Sequence, residues 1–243
     1  EINDGEIILD HHGYPTGIFN ESAQRLITDH LPEENEISRD EFLALGIKEC
    51  LKNGITSFHD AGSGKEDIEA YKRFINSGKL KIRLYVMLTG GDPDLLHEWF
   101  QQGPAIGLGN DFLTIRSIKL NADGALGSRG AWLLEEYEDM PGHYGMAIQS
   151  MSYIYEITKK GILNGFQINT HAIGDRANRE VLDQYEKVIQ DFSGDKKDHR
   201  FRIEHAQHLH PNDIPRFNKL GIIASIQGIH LSSDRPWAIN RLG

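Results

Sequence analysis

The chain has 243 residues, of which 39% are apolar and 26% charged, and it carries a formal net charge of −10. This composition supports one large core, and the acidic balance argues against nucleic-acid or anionic-membrane partners, which require a basic footprint. The single cysteine, Cys50, excludes a disulfide framework and a thiolate metal cluster.

The first residues read as a hairpin. Glu6–Leu9 and Gly17–Phe19 are short apolar strands, and His11-His12-Gly13-Tyr14-Pro15 supplies the turn. Ser38-Arg39-Asp40 then reads as the cap of a helix running to Lys52. Its apolar face would hold Phe42, Leu45, Ile47 and Leu51, with Cys50 as a small buried hydrophobe. Gly54 ends that helix, and GITSFHDAG follows as a strand that finishes at a loop. The cycle recurs. Helix EDIEAYKRFINSG leads to strand KIRLYVML, and helix DPDLLHEWFQQG to strand FLTIRSIKL. After the long loop NADGALGSRGAWLLEEYEDMPGHYG come helix SMSYIYEITKKGILNG and strand FQINTH, helix DRANREVLDQYEKVIQ and strand FRIEH, then helix NDIPRFNKLG and strand IIASIQ.

Strands alternating with helices predict an α/β fold with a parallel sheet. About six strand–helix steps fall two short of a closed (β/α)8 TIM barrel. An open doubly wound sheet shares the alternation, but neither G-x-G-x-x-G nor G-x-x-x-x-G-K-[ST] occurs. The segment Gly124–Gly130 is glycine-rich without either spacing and reads as a flexible loop. No repeat or linker divides the chain, so residues 1–243 read as one domain, with 1–37 as lead-in and 38–243 as the repeats. No run reaches the roughly 18 apolar residues of a membrane span. The chain opens on Glu1 rather than Met, and we expect an excised piece of a longer, cytoplasmic protein.

In a barrel, groups at the carboxyl ends of strands converge on one open face. His59, Lys119, His171 and His205 each fall at or near such an end, and imidazole suits zinc and neighbouring metals. Period-two alternation puts Gln167, Asn169 and His171 on one face, opposite Phe166, Ile168 and Thr170. By the same rule His205 shares a face with Phe201 and Ile203, and Glu204 points towards the helices. Lys119 lies between Ile118 and Leu120; it either snorkels to the surface or is desolvated. A desolvated amine has a depressed pKa and can add carbon dioxide, giving a carbamate that bridges two metals. Asp175 reads as a helix N-cap or as a catalytic group. His208-Leu209-His210 follows its strand and reads as loop surface.

At these residues the chain resembles the amidohydrolase superfamily, in the large-insert metal-dependent branch that includes the N-substituted formamide deformylases. The resemblance rests on ordered blocks: GEIILDHHGYPTGIFNESA, GITSFHDAG, IKLNADGALGSRGAWL, NTHAIGDRAN, RIEHAQHLHPNDIPRFNKLGI and SDRPWAINRLG. It implies a (β/α)8 barrel with a divalent metal, zinc above all, at its mouth. His171 and His205 would be ligands and Lys119 the carbamylated bridge. His59, Asp60, Asp123, the Gly124–Gly130 loop, Asp175 and Gln227 would border a pocket for a small amide-type substrate. The family's first-strand H-x-H and last-strand aspartate have no counterpart here, and Asp234 does not replace the latter. The resemblance therefore implies the barrel portion of a hydrolase, inactive by itself, with exposed edges that favour homo-oligomers. Two other readings stand beside it: a metal-free small-molecule-binding barrel, and a barrel using Lys119 as a Schiff-base nucleophile.

Overall fold

The computed structural model describes residues 5–32, 35–192 and 198–243; part of the expected lead-in, 1–4 and 33–34, lies outside them. Strands β1 (Gly5–Leu9) and β2 (Pro15–Glu21) form a separate antiparallel hairpin. Its turn is held by Asp10 Oδ1, which accepts the His12 and Tyr14 N–H groups at 2.8 and 2.9 Å. A single turn, α1 (Arg25–Thr28), leads on to α2 (Glu36–Lys52).

Helix α2 begins earlier than its sequence suggests. Asn35 is the cap: its Oδ1 accepts Ser38 N–H at 2.9 Å, while Ser38 Oγ accepts Asn35 N–H at 3.2 Å. Its expected core face is also corrected. Ile47 is buried and Cys50 half-buried, but Phe42 and Leu45 are 62% and 61% exposed. The helix leans on α3 (Lys65–Asn76) at the margin of the sheet, joined by the 2.6 Å Arg73–Asp40 ion pair, and no described element covers its other flank.

Six parallel strands follow in chain order: β3 (Ser57–Ser63), β4 (Arg83–Thr89), β6 (Leu113–Asn121), β7 (Gln167–Ala172), β8 (Arg202–His205) and β9 (Ile223–Ser225). The short β5 (Ala105–Gly107) pairs antiparallel with β6. Between them run α4 (Pro93–Gln102), the turn α5 (Leu108–Asp111), α6 (Met151–Leu163), α7 (Asp175–Asp191) and α8 (Ile214–Leu220). The turn α9 (His230–Ser233) and α10 (Arg235–Leu242) close the chain.

The sheet is curled into half a barrel, and one contact proves it. Arg202 Nη1 on β8 reaches His59 Nδ1 on β3 at 3.0 Å. Three strands separate them, which in a flat sheet is roughly 19 Å at ~4.8 Å per step. No arginine spans that distance.

The core lies between the convex face of the sheet and its helices, built from Val86, Leu88, Ile115, Ile118, Ile168 and Ile203 against Ile68, Phe74, Trp99, Ile154 and Val181. Gly161 on α6 lets that helix settle onto β7: a Cβ there would meet Ile168 Cδ1 at 2.5 Å. The segment 121–145 has no long element, yet it is not the flexible loop expected. Leu126, Ala131, Leu133 and Tyr137 are buried with Ile173 in a second small core, against which Trp237 and Ala238 pack. Among the described residues no helix is long and apolar enough to cross a membrane.

Candidate active site

Because Ile168 faces the helices, its alternates Gln167, Asn169 and His171 face the lumen. Parallel register extends that row sideways. Lys119 pairs with Asn169, and Asn121 with His171. On the other side Arg202 pairs with Asn169, and Glu204 with His171. Glu204 therefore points into the lumen, not towards the helices. It is 8% exposed and forms a 2.6 Å ion pair with Arg202.

His205 departs from the alternation. Its φ is +73° and that of Ala206 +41°, left-handed conformations that L-residues adopt at a cost of ~1–2 kcal/mol each. The backbone turn swings the His205 ring off the Phe201–Ile203 face and against His171, with centroids 4.6 Å apart and planes at 71°. Buried Asn178 holds the turn in place. Its Nδ2 lies within 3.2 Å of the carbonyls of His208, Ala172 and Gly174.

Each imidazole turns one nitrogen towards a polar side chain. His205 Nδ1 lies 2.9 Å from Gln227 Oε1, while its Nε2 makes no hydrogen bond. Burial lowers the His205 pKa, which keeps the ring neutral at pH 7; the Gln227 bond opposes that shift, and His171 and Lys119 reinforce it. His171 turns its buried Nε2 towards Asp123 Oδ1 at 3.4 Å, outside hydrogen-bond geometry, so Nδ1 is the nitrogen on the side away from the carboxylate. A carboxylate behind an imidazole is the arrangement that orients metal-binding histidines.

Asp123 itself is 0% exposed. Its Oδ1 accepts Ile173 N–H at 2.9 Å, and its Oδ2 accepts Gly174 N–H at 2.8 Å and Trp132 N–H at 2.9 Å. It thus pins the 121–145 loop to the end of β7 instead of facing a pocket. Gly174 permits this close approach, since a Cβ there would lie 2.0 Å from Trp132 O.

Lys119 Nζ turns back to Leu120 O at 3.1 Å and Asn121 Oδ1 at 2.7 Å. Burial brings its pKa down from 10.5 to about 8, against the opposing pull of Glu204 and Asp123. It is desolvated, not snorkelling. Between about pH 8 and 10.5 the unfolded chain therefore binds the extra proton, so stability should rise with pH through that window. Lys119→Met should flatten this rise in denaturant titrations; a wild-type slope in the variant would place the desolvated amine elsewhere.

The other expected residues divide. Gln227 lies at the mouth, between His205 and His230, whose Nε2 is 3.2 Å from Gln227 Oε1. His59 is near the start of β3 and meets Arg202 and Tyr85, not the histidine pair. Asp60 faces the helical layer, accepting bonds from Tyr71 Oη and from Ser63 Oγ at 2.7 Å. Gly124 N–H bonds Gly130 O at 3.2 Å inside the packed loop. Gly174, not Asp175, is the cap of α7; Asp175 Oδ1 instead accepts Leu134 N–H at 2.9 Å. His208 is half-buried, not loop surface, and burial lowers its pKa.

Sequence reasoning missed His230 and Asp234, whose 2.8 Å pairing across one turn of α9 follows from a spacing of four. With His205, Gln207, Gln227, Ile226 and Leu231 they line a cavity of ≈ 430 Å³.

Among the described residues no three His, Cys, Asp or Glu side chains are placed to hold a metal ion. The two imidazoles nevertheless fit a divalent metal as part of a donor set: adjacent, with His205 Nδ1 held by Gln227, His171 Nε2 facing Asp123, and a desolvated amine nearby.

A curled parallel half-barrel with imidazoles and a buried amine at its strand ends defines a TIM-barrel-type domain built around a mouth. More narrowly, the chain belongs to the Amidohydrolase family, whose model matches residues 3–243. It is 35% identical over 251 residues to "Protein LONG AFTER FAR-RED 3" of Arabidopsis thaliana, covering 98% of this chain and 42% of that protein. It is 31% identical over 244 residues to "Putative amidohydrolase YtcJ" of Bacillus subtilis (strain 168), covering 98% and 44%. An uncharacterized metal-dependent hydrolase from Pyrococcus furiosus superposes with a TM-score of 0.78 at 26% identity, over 96% of this chain and 47% of that one. The chain thus spans under half the length of these relatives. The formamide deformylase of the expected branch is more distant: the N-substituted formamide deformylase of Arthrobacter pascens is 26% identical over 228 residues, covering 90% of this chain and 41% of that protein.

Proposed function

We propose that this chain forms the histidine-bearing half of the catalytic barrel of a cytoplasmic, zinc-dependent hydrolase that cleaves an amide-type C–N bond. The observation that carries the reading is the meeting of His171 and His205 at the ends of adjacent strands, each with one nitrogen turned towards a polar side chain. In this reading the two imidazoles hold one ion. Lys119, on losing one proton from its ammonium and a second as Nζ adds carbon dioxide, both to solvent, would become an anionic carbamate donor. Zinc supplies Lewis-acid polarisation of the scissile carbonyl and an activated water. The chain's own residues do the rest. Gln227 and Asp123 orient the rings, and the ≈ 430 Å³ cavity receives one end of a small substrate between Ile226, Leu231 and the polar groups around His205. The choice of a C–N bond follows the likeness to the formamide deformylase. The reading assigns the remaining ligands to segments outside these residues and expects this chain to bind metal without turnover.

Metal content by plasma mass spectrometry, after dialysis without chelator, tests the reading. Near-stoichiometric zinc supports it, and its absence leaves the metal-free binding barrel as the better account of this chain.

The margins of the half-barrel carry a further expectation. Phe58 on β3 and Ile223 on β9 are each 44% exposed on the two edge strands of the sheet. Unpaired strand edges with apolar side chains invite pairing. Light scattering should find dimers or larger species; a monodisperse, heat-resistant monomer would contradict the expectation.

A further inference from the structure

The foot of β8, at the end of the strand away from the mouth, is fastened by a histidine that the proposed reaction leaves unused. His199 is 7% exposed. Its Nδ1 lies 2.9 Å from Phe201 N, and its Nε2 lies 2.8 Å from Leu220 O. A backbone N–H only donates and a carbonyl only accepts, so both bonds have a fixed direction. Nδ1 accepts and Nε2 donates, which requires the neutral ring with its proton on Nε2. The Leu220 carbonyl belongs to the last turn of α8, where backbone acceptors lack helical partners. One imidazole thus ties the start of β8 to the end of α8.

The strand that follows α8 depends on the same tie. Among the described residues β9 is an edge strand, paired with β8. Ile223 N–H, at its start, donates to Phe201 O at 2.9 Å, on the residue whose N–H the ring holds. Directly beyond β9 come Ile226 and Gln227, which wall the ≈ 430 Å³ cavity. We propose that His199 is an acid-labile latch: a proton taken from solvent at Nδ1 turns the acceptor of Phe201 N–H into a donor, frees the α8–β9 unit from β8 and loosens that wall. Two N–H groups would otherwise face each other in a buried site, leaving both unsatisfied. The latch acts whether or not a metal binds.

The surroundings give an imidazolium little shelter. Among the described residues the charged groups about the ring are Asp198, with Arg200 Nε at 2.5 Å from its carboxylate, and Arg116 of β6, across a cavity of ≈ 250 Å³ that His199 lines. Asp198 is 58% exposed and already paired. On α8, Arg216 and Lys219 are turned to Asp183 and Glu186 of α7. Phe166 and Phe192 complete the cavity wall on the α6 and α7 side without charge. Burial accordingly holds the His199 pKa below its ordinary 6.5, against the opposing pull of the Leu220 carbonyl and Asp198. A folded pKa below the unfolded one means that the open form binds more protons, so opening becomes easier as pH falls below 6.5.

Amide hydrogen exchange of the whole chain, resolved by NMR and corrected for the intrinsic pH dependence of exchange, tests the latch. In the wild type, protection of the Phe201 and Ile223 amides should fall between about pH 7.5 and about pH 5, by up to about tenfold per pH unit. His199→Asn keeps an acceptor at the position of Nδ1, cannot titrate and loses the hold on Leu220. Its Phe201 and Ile223 amides should be less protected at neutral pH and lose most of the pH dependence. The His199 ring resonances of the wild type give a second reading that needs no variant: an Nε2–H tautomer and a titration midpoint below 6.5. An Nδ1–H tautomer or a midpoint at or above 6.5 overturns the inference. So does protection that stays level across the acid range in the wild type, or an acid response in His199→Asn equal to that of the wild type.

Discussion

Alanine in place of His171 is expected to release zinc bound by the wild-type chain while leaving the fold standing. The imidazole ends β7 on the lumen side, 15% exposed, with its ring edge-to-face on His205. In the proposed reading its removal deletes one of two imidazole donors. The loss of affinity should exceed the roughly 10–100-fold that follows removal of an outer-shell partner. Packing changes little, because the space opens towards the mouth and not into the core behind the sheet; the stability cost should stay within about 2 kcal/mol. Metal analysis and urea unfolding on the same sample separate the two effects. Zinc retained at wild-type stoichiometry would sink the ligand role.

Asp123→Ala should behave in the opposite way and unfold the protein easily. Its carboxylate accepts three backbone N–H groups at 2.8–2.9 Å, from Trp132, Ile173 and Gly174, in a position with no solvent access. Alanine orphans all three donors. At about 1–3 kcal/mol for each unsatisfied buried group, the expected loss is roughly 3–5 kcal/mol or more, a large share of a domain's stability. Asp123→Asn keeps one acceptor oxygen and should fall between. Because the same carboxylate backs His171, zinc binding should weaken in both variants. Unfolding midpoints within about 0.5 kcal/mol of wild type in Asp123→Ala would show that water or a shifted loop replaces the carboxylate.

The alternation of strands and helices was legible because the parallel strands are buried on their outer face, and their apolar runs record it. His171 was legible for the same reason: the period of two runs unbroken from Phe166 through the strand. It failed for Glu204 and His205 one strand later. Register with β7 puts Glu204 in the lumen, and a left-handed backbone at His205, which no side-chain pattern signals, carries the ring back to the mouth. Asp60 and His59 were read from position near a strand end without a phase, so one fell on each face. The helix α2 misled because its apolar residues were assigned to a core that the described elements do not supply. Asp123 looked like a pocket wall; its three backbone partners come from residues up to 51 positions away. The His230–Asp234 pair was within reach of a spacing rule and was overlooked beside the more obvious strand-end histidines.

The left-handed backbone at His205 and Ala206 has an evolutionary side. Glycine is the residue that accepts such a conformation without strain, so position 205 is a place where the best residue for folding and the best residue for chemistry differ. In the proposed reading, selection for metal binding would hold histidine there against a standing pull. In a lineage released from that selection, glycine at this position would relieve the strain while erasing the proposed ligand, and the domain would become sturdier. On the proposed reading, a more stable mouth in a descendant of this fold would then mark the loss of metal binding.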